Sequence, residues 1–362
     1  MDNRMFRVRI VSLGWMMSAI SLFAPVASAV CPSGDLLPDL RALPARDVAV
    51  VLGAQGQPTG QMKFTTTSWN SGGERLELIT KELDTGASKR RVDQRIYCND
   101  GTYYEHSAGF FEYHAAHNHV HFNDYANYIL EPLDANPQNI RKGTKTTFCI
   151  IDTTNINTQL LRAASSPVYS ACATQVYGSK QGMSVGWGDT YGSYLEGQSI
   201  YTGDLPPGLY RLRIVIDPKD QLLEISNDNN ESCKLVEIGF GLDGSQYVAD
   251  KGLCVDPPPT PQLYAINPTS LSQGTCSMVT ITGDNLVPET RMSFLYGTGP
   301  LPAARNVEFP DAATVKATVC VPKSPGKKPR LGSNPVWDLF SGNPTLPHVG
   351  SATLEDAFRV NP

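Results

Sequence analysis

Four of the six histidines of this chain fall within eight residues, in the run His114-Ala-Ala-His117-Asn-His119-Val-His121. Successive side chains of a β-strand point to opposite faces, so on a strand His117, His119 and His121 share one face while Asn118, Val120 and Phe122 take the other. Three imidazoles on one face can converge on a single ion. A set of neutral nitrogens suits Cu(II) or Zn(II) better than Mg or Ca, and the general order of divalent affinities favours copper. His114 lies off the two-residue spacing and is expected to support the others rather than to ligate. A zinc hydrolase would use the same three histidines with an open fourth position, but no glutamate interleaves with them as it does in a metallohydrolase motif.

The first residues combine Arg4, Arg7 and Arg9 with an apolar stretch from Ile10 to Ala24 and a small-residue site at Ala27-Ser28-Ala29, the pattern of an export signal over residues 1–29. That stretch is short for a membrane span, and no later uncharged run reaches about 18 residues, so no span is expected. Cys31 follows Val30, where lipidation requires a small residue. The expected location is therefore periplasmic, cell-surface or extracellular. All eight cysteines (Cys31, Cys98, Cys149, Cys172, Cys233, Cys254, Cys276 and Cys320) lie beyond residue 29, an even set that fits four bridges in an oxidising compartment. Many connectivities are open; locality favours Cys149–Cys172, Cys233–Cys254 and Cys276–Cys320, leaving Cys31 with Cys98. No CxxC pair supports a thiolate zinc site. Loss of residues 1–29 removes three arginines and one aspartate, leaving 27 basic against 34 acidic side chains and a formal charge of −7. That balance argues against a nucleic-acid partner and is compatible with a cationic amine or basic protein, steering it only weakly.

Strand-like segments crowd the chain: Asp47 to Leu52, Met62 to Trp69, Leu76 to Ile79, Arg91 to Cys98, Thr102 to Glu105, Thr146 to Ile151 and Leu209 to Ile216. They are rich in β-branched and aromatic residues and separated by clusters such as Asn70-Ser-Gly-Gly73. Only Thr158 to Ala164 offers a helical turn or two, and without strand–helix alternation the fold class is all-β. The length beyond the signal implies two domains. The stiff run Val255-Asp-Pro-Pro-Pro-Thr-Pro261 divides them, giving a first domain over 30–254, a linker over 255–261 and a second domain over 262–362. In the second, Leu263 to Pro268, Met278-Val-Thr-Ile-Thr-Gly-Asp-Asn-Leu286, Thr314 to Val319 and Ala352 to Val360 resemble the immunoglobulin-like IPT/TIG module. Gly274 stands where that module has glycines; the Cys276 and Cys320 pair is an addition, and Lys323 to Pro347 is a basic, proline-rich insertion. The resemblance implies a smaller β-sandwich used for placement or adhesion, with no chemistry of its own.

After the histidine run come Lys145-Thr-Thr-Phe-Cys-Ile-Ile-Asp-Thr153, Gly182-Met-Ser-Val-Gly-Trp-Gly-Asp-Thr-Tyr191, and Leu205-Pro-Pro-Gly-Leu-Tyr210 with Glu224 to Asn230. In this order they resemble the catalytic domain of the lysyl oxidase family, over about residues 36 to 255 and most strongly from 113 to 233. The resemblance implies a β-sandwich catalytic domain with copper on His117, His119 and His121, and a lysine tyrosylquinone made from Lys145 and Tyr191. Such a chain would be a copper amine oxidase that converts peptidyl lysine or other primary amines with O₂ to aldehydes, ammonia and hydrogen peroxide. Asp152 and Asp189 are the acidic residues inside the matching motifs, so either is a candidate for the base that takes the substrate proton.

The same resemblance implies a calcium site at Asp39, Leu40, Glu224, Asn229 and Asn230, whose oxygens suit a hard cation. Ser226 stands where the family carries another carboxylate, with Asp228 close by. Tyr113 and Ala116 replace a tryptophan and a cysteine of the animal pattern, and the stretch after His121 lacks its extra histidine. The alternative function is a non-catalytic secreted metal-binding or adhesion protein on the same scaffold.

Overall fold

A computed structural model of the chain describes residues 30–84, 89–115, 118–134, 136–255, 259–323 and 336–362. The expected export signal falls outside these residues, as do His117, Ala116 and residues 256–258 of the proline run. The fold is all-β: among the described residues there is no α-helix, only two single 3₁₀ turns at Pro137–Asn139 and Pro347–Val349. Among the described residues no helix is long and apolar enough to cross a membrane.

Three sheets are built from residues 35–253. The first runs in the order Lys180–Met183, Leu76–Asp84, Lys89–Cys98, Tyr103–His114, His119–Phe122, with Asp35–Leu36 also paired to Lys89–Cys98. The second orders Thr154–Asn155, Trp187–Tyr191, Pro58–Asn70 and Ser199–Tyr201, with Leu40–Leu52 also on Pro58–Asn70. The third orders Gln246–Leu253, Glu231–Phe240, Gly208–Ile216, Ala126–Pro132 and Arg141–Lys142. Alternating buried and half-buried positions along Ala126–Pro132 and Lys89–Cys98 mark strands with one face on the core. The inner half of Pro58–Asn70 is instead buried on both faces. Its hydroxyls are accordingly paired: Thr66 Oγ1 and Tyr128 Oη lie 3.0 Å apart, Ser68 Oγ and Tyr125 Oη 2.7 Å, and Thr67 and Thr190 Oγ1 2.8 Å.

Residues 259–361 form two further four-stranded sheets that share no strand with the first three. They enclose a separate core that includes Val279, Ile281, Val315, Trp337, Leu339 and Phe358. Trp337 and Leu339 correct one expectation, because Val336–Gly342, inside the supposed insertion, is a strand paired on both sides. Residues 324–335 of that stretch lie outside the described residues. All four disulfides join the pairs expected from locality: Cys31–Cys98, Cys149–Cys172, Cys233–Cys254 and Cys276–Cys320.

Two other segments depart from the sequence reading. Thr146–Ile151 is extended but forms no regular strand, because its backbone bonds go to different partners: Phe148 exchanges both bonds with Phe122, Thr146 O accepts from Tyr125 N, and Ile150 O accepts from Gly182 N. Thr158–Ala164 makes turns without helix, since Gln159 O and Leu161 N bond Val307 of the second sandwich.

The two sandwiches are packed together, not strung apart. Leu346 and Val349 of the second join the core of the first. Between them His348 is held below the usual histidine range by burial, reinforced by the Lys234 and Arg46 charges of the first domain. A histidine kept neutral when folded takes up a proton on unfolding, so its share of stability is full above about pH 6.5 and is lost as pH falls toward the depressed folded value. Unfolding midpoints measured from pH 7.5 to 5.5 should therefore drop more in the wild type than in His348→Gln; identical slopes would show that this ring does not sense acid.

Candidate active site

The histidines sit on a hairpin. Tyr103–His114 pairs antiparallel with His119–Phe122, matching His114 with His119 and Glu112 with His121. Val120 and Phe122 enter the core while His119 and His121 turn to the other face. There Nε2 of His119 and Nε2 of His121 are 2.9 Å apart, close to the spacing of two neighbouring donors each about 2.0–2.1 Å from one ion. His114, expected to support the other histidines, lies in the cluster: its ring stacks on His121 with centroids 4.0 Å apart. The Thr147 hydroxyl lies 3.4 Å from both His121 Nδ1 and His114 Nε2. A hydroxyl beside Nδ1 favours the tautomer that leaves Nε2 of His121 open to a metal. The hairpin register, not the two-residue spacing, brings His114 opposite His119.

His119 also lies against the Cys149–Cys172 bridge, whose sulfurs are within 4.8 Å of a ring nitrogen. Joined as a disulfide, those sulfurs are not thiolate ligands. Cys149 has a second contact. Its backbone N–H donates to Tyr191 Oη at 2.9 Å, and Tyr191 Oη donates back to its carbonyl at 2.9 Å. One residue thus touches an imidazole through its side chain and the phenol through its main chain.

Lys145 completes the constellation. Its Nζ stands 5.0 Å from the centroid of the Tyr191 ring and 5.0 Å from that of Phe148, and the Phe148 and Tyr191 rings meet edge to face at 4.9 Å. Burial lowers the lysine pKa, opposed by the charges of Glu196 and Asp189. Burial, and next the charge of Asp189, drives the Tyr191 phenol far above its ordinary range. A cavity of about 780 Å³ is lined by His114, His119, His121, Lys145, Asp189 and Tyr191, with Glu112 and Glu196 also on its wall.

The two candidate bases part company. Asp152 accepts from Val168 N, Tyr169 N, Ser184 N and Ser184 Oγ, while its neighbours Ile151 and Thr153 line the cavity. A carboxylate with four donors ties loops together. Asp189 lines the cavity, and its Oδ2 has no hydrogen-bond partner among the described residues. Burial pushes its carboxyl well above the usual range, against the pull of the Ile151 N–H and Lys145.

The predicted calcium residues also converge. Leu40 N donates to Glu224 Oε2 at 2.8 Å and Asn230 Nδ2 to Glu224 Oε1 at 2.7 Å, while Asn229 Nδ2 reaches both Asp39 oxygens. Burial lifts the Glu224 carboxyl to about 7. The carbonyl oxygens of Asn229 and Asn230 are buried without a partner among the described residues. Two carboxylates and two unspent amide oxygens are a fitting donor set for a hard cation. Asp228 is exposed, its N–H bonded to Ser226 Oγ.

Residues 91–240 match the lysyl oxidase family model. They contain every site residue above except Asp39 and Leu40. Over 122 residues, a third of this chain, it is 33% identical to the human protein-lysine 6-oxidase, covering 26% of that protein, and 33% identical to human lysyl oxidase homolog 1, covering 19%. Over 126 residues it is 34% identical to lysyl oxidase homolog 3B of Danio rerio, covering 14%. The chain thus spans about a quarter or less of the length of these relatives.

Gly197 sets the place of Lys145 in this lysyl oxidase-like segment. It adopts φ +78°, and a Cβ there would sit 2.8 Å from Lys145 Cβ. Gly197→Ala should displace the lysine from its half-buried position. The check is pH-dependent amine labelling of residue 145: in the wild type its reactivity should plateau at lower pH than that of exposed lysines, and in the variant the plateau should move back toward theirs.

Proposed function

We propose that this chain is an exported copper amine oxidase of lysyl oxidase type, acting on peptidyl lysine or other primary amines. The observation that carries the reading is the meeting of Lys145 and Tyr191, 46 positions apart in the sequence, on the wall that also bears His119 and His121. The matching family segment supports it, as do four disulfides suited to an oxidising compartment. Copper would be held by His119 and His121 through Nε2, with His117 as third ligand and His114 backing His121. When bound, copper supplies redox chemistry with O₂, and a lysine tyrosylquinone made of Lys145 and Tyr191 supplies the carbonyl electrophile that a primary amine needs. The net reaction turns amine, O₂ and water into aldehyde, ammonia and hydrogen peroxide.

The chain's own groups prepare this. A buried amine loses its proton more readily, so Lys145 is poised as a neutral nucleophile toward the neighbouring ring. Cys149 fixes the phenol while Phe148 closes one side of the amine. Asp189, rather than Asp152, is placed to accept the substrate's α-proton: it faces the cavity with an oxygen to spare among the described residues. A calcium ion on Asp39, Glu224, Asn229, Asn230 and the Leu40 backbone would tie the start of Leu40–Leu52 to the loop before Glu231–Phe240. The second sandwich is read as an immunoglobulin-type module.

After copper loading in air, peptide mass spectrometry should find the Lys145 and Tyr191 peptides joined; separate, unmodified peptides from fully loaded protein would overturn the oxidase reading. Lys145→Ala and Tyr191→Phe should each abolish amine-dependent peroxide while copper stays bound. Asp189→Asn should keep the cross-link and lose about 10²–10⁴-fold in turnover, the usual worth of a positioned base. Because the lysine pKa is depressed, the rate of cross-linking should rise with pH and level off below pH 10.5, the ordinary lysine value. Calcium should raise the unfolding midpoint of the wild type and not that of Glu224→Gln.

A further inference from the structure

The seam between the two sandwiches is made mostly of side chains gripping backbone. Arg291, at the start of strand Arg291–Leu295 in the second sandwich, gives Nε to Ile156 O at 3.1 Å and Nη2 to Ile156 O at 2.8 Å, to Asn155 Oδ1 at 3.0 Å and to Asn155 O at 3.3 Å. No carboxylate pairs with it among the described residues, and burial alone lowers its pKa. A guanidinium desolvated without a counter-ion is costly, and here its return is the capping of two carbonyls, one of them shared with Asn343 Nδ2, and of the Asn155 side-chain oxygen.

Those carbonyls lie at the end of Thr154–Asn155, a two-residue strand on the edge of the second sheet. So short a strand has little hold of its own. It is nonetheless one of the two supports of the cavity wall, since Trp187–Tyr191 is flanked by it on one edge and by Pro58–Asn70 on the other. Thr154 pairs with Gly188 and Asn155 with Trp187; Thr190 N donates to Thr153 Oγ1 at 2.7 Å, and the Thr154 and Thr190 hydroxyls are 2.7 Å apart. Thr190 stands between Asp189 and Tyr191.

We infer that Arg291 is a positioning residue for the cavity: from the second sandwich it holds residues 155–156, and through Thr153 and Thr154 it fixes the strand that carries Asp189 and Tyr191. The appended sandwich is then part of the site's framework. The catalytic consequence rests on the oxidase reading; the positioning itself does not.

Amide hydrogen exchange on the full chain separates the two. In Arg291→Ala the Thr153 and Thr190 amides should exchange at least about tenfold faster, while those of Gly208–Ile216 keep the wild-type rate. Arg291→Lys, which can still donate to carbonyls, should stay within about threefold. Gln159→Ala serves as control: it removes other seam bonds, to Met292 N and O, and should leave Thr190 unchanged. Unaltered Thr190 exchange in Arg291→Ala, or equal acceleration in Gln159→Ala, would reduce Arg291 to a fastener of the seam and overturn the proposal. Should Arg291→Ala fail to fold, Arg291→Gln compared with Gln159→Ala decides by the same criterion. Cross-linking of Lys145 to Tyr191 in copper-loaded protein should slow in the order of the exchange effects, with copper content constant. A wild-type chain that never cross-links refutes the oxidase reading and leaves the exchange comparison standing.

Discussion

A buried backbone must find its hydrogen bonds, and between Lys145 and Thr153 no single neighbouring strand supplies them. The segment runs between two sheets and divides its bonds among Phe122, Tyr125, Gly182, Tyr169 and Gly188. At Cys149 no main-chain partner is in register, and the Tyr191 phenol serves both its N–H and its C=O. The phenol is pinned by that need. Lys145 starts the same stretch, Thr147 faces the imidazoles, and the Cys149 sulfur lies beside His119. The convergence at the cavity therefore follows from how one irregular segment satisfies its own main chain.

Burial then sets the charge states. It raises the Asp189 and Tyr191 pKa values and lowers that of Lys145, so each of the three is drawn toward its uncharged form. A neutral amine has a lone pair to offer the tyrosine ring once that ring has been oxidised with copper and O₂, whereas an ammonium has none. A divalent cation on the imidazoles would further favour loss of a proton from groups nearby. The geometry and the electrostatics thus point to the same chemistry from separate causes.

Much of this was legible in the sequence and some was not. Alternation located most long strands, and period two put His119 and His121 on one face. Locality paired the cysteines. His114 was expected as a support, but its pairing opposite His119 was not legible, because hairpin register depends on a turn whose geometry no residue pattern specified. Thr146–Ile151 looks like a strand for good reason, being β-branched and aromatic, but composition says nothing about whether its partners lie in one sheet or two. Val336–Gly342 was hidden by the proline-rich and basic residues before it, although Trp337 and Leu339 alternate as a strand should. The seam was least visible: Asn157, Gln159, Arg291 and Asn343 bond to main-chain groups of the opposite sandwich or its border, and backbone atoms leave no mark in a sequence.

Asp152 and Asp189 show what the structure adds to a motif. Both lie in matching segments, both adjoin threonine, and their exposures, 6% and 3%, do not distinguish them. Hydrogen bonding does. Asp152 takes four donors, so its oxygens are spent on holding Val168–Tyr169 and Ser184 in place. Asp189 has the Ile151 N–H and an oxygen left over. Trp69 and Trp337 also bury an unpartnered N–H, but a neutral indole loses far less by this than a carboxylate. An ionisable group left short of partners on a cavity wall is costly to folding as an ion, so burial draws Asp189 toward its neutral form and leaves its spare oxygen open to a partner from the cavity.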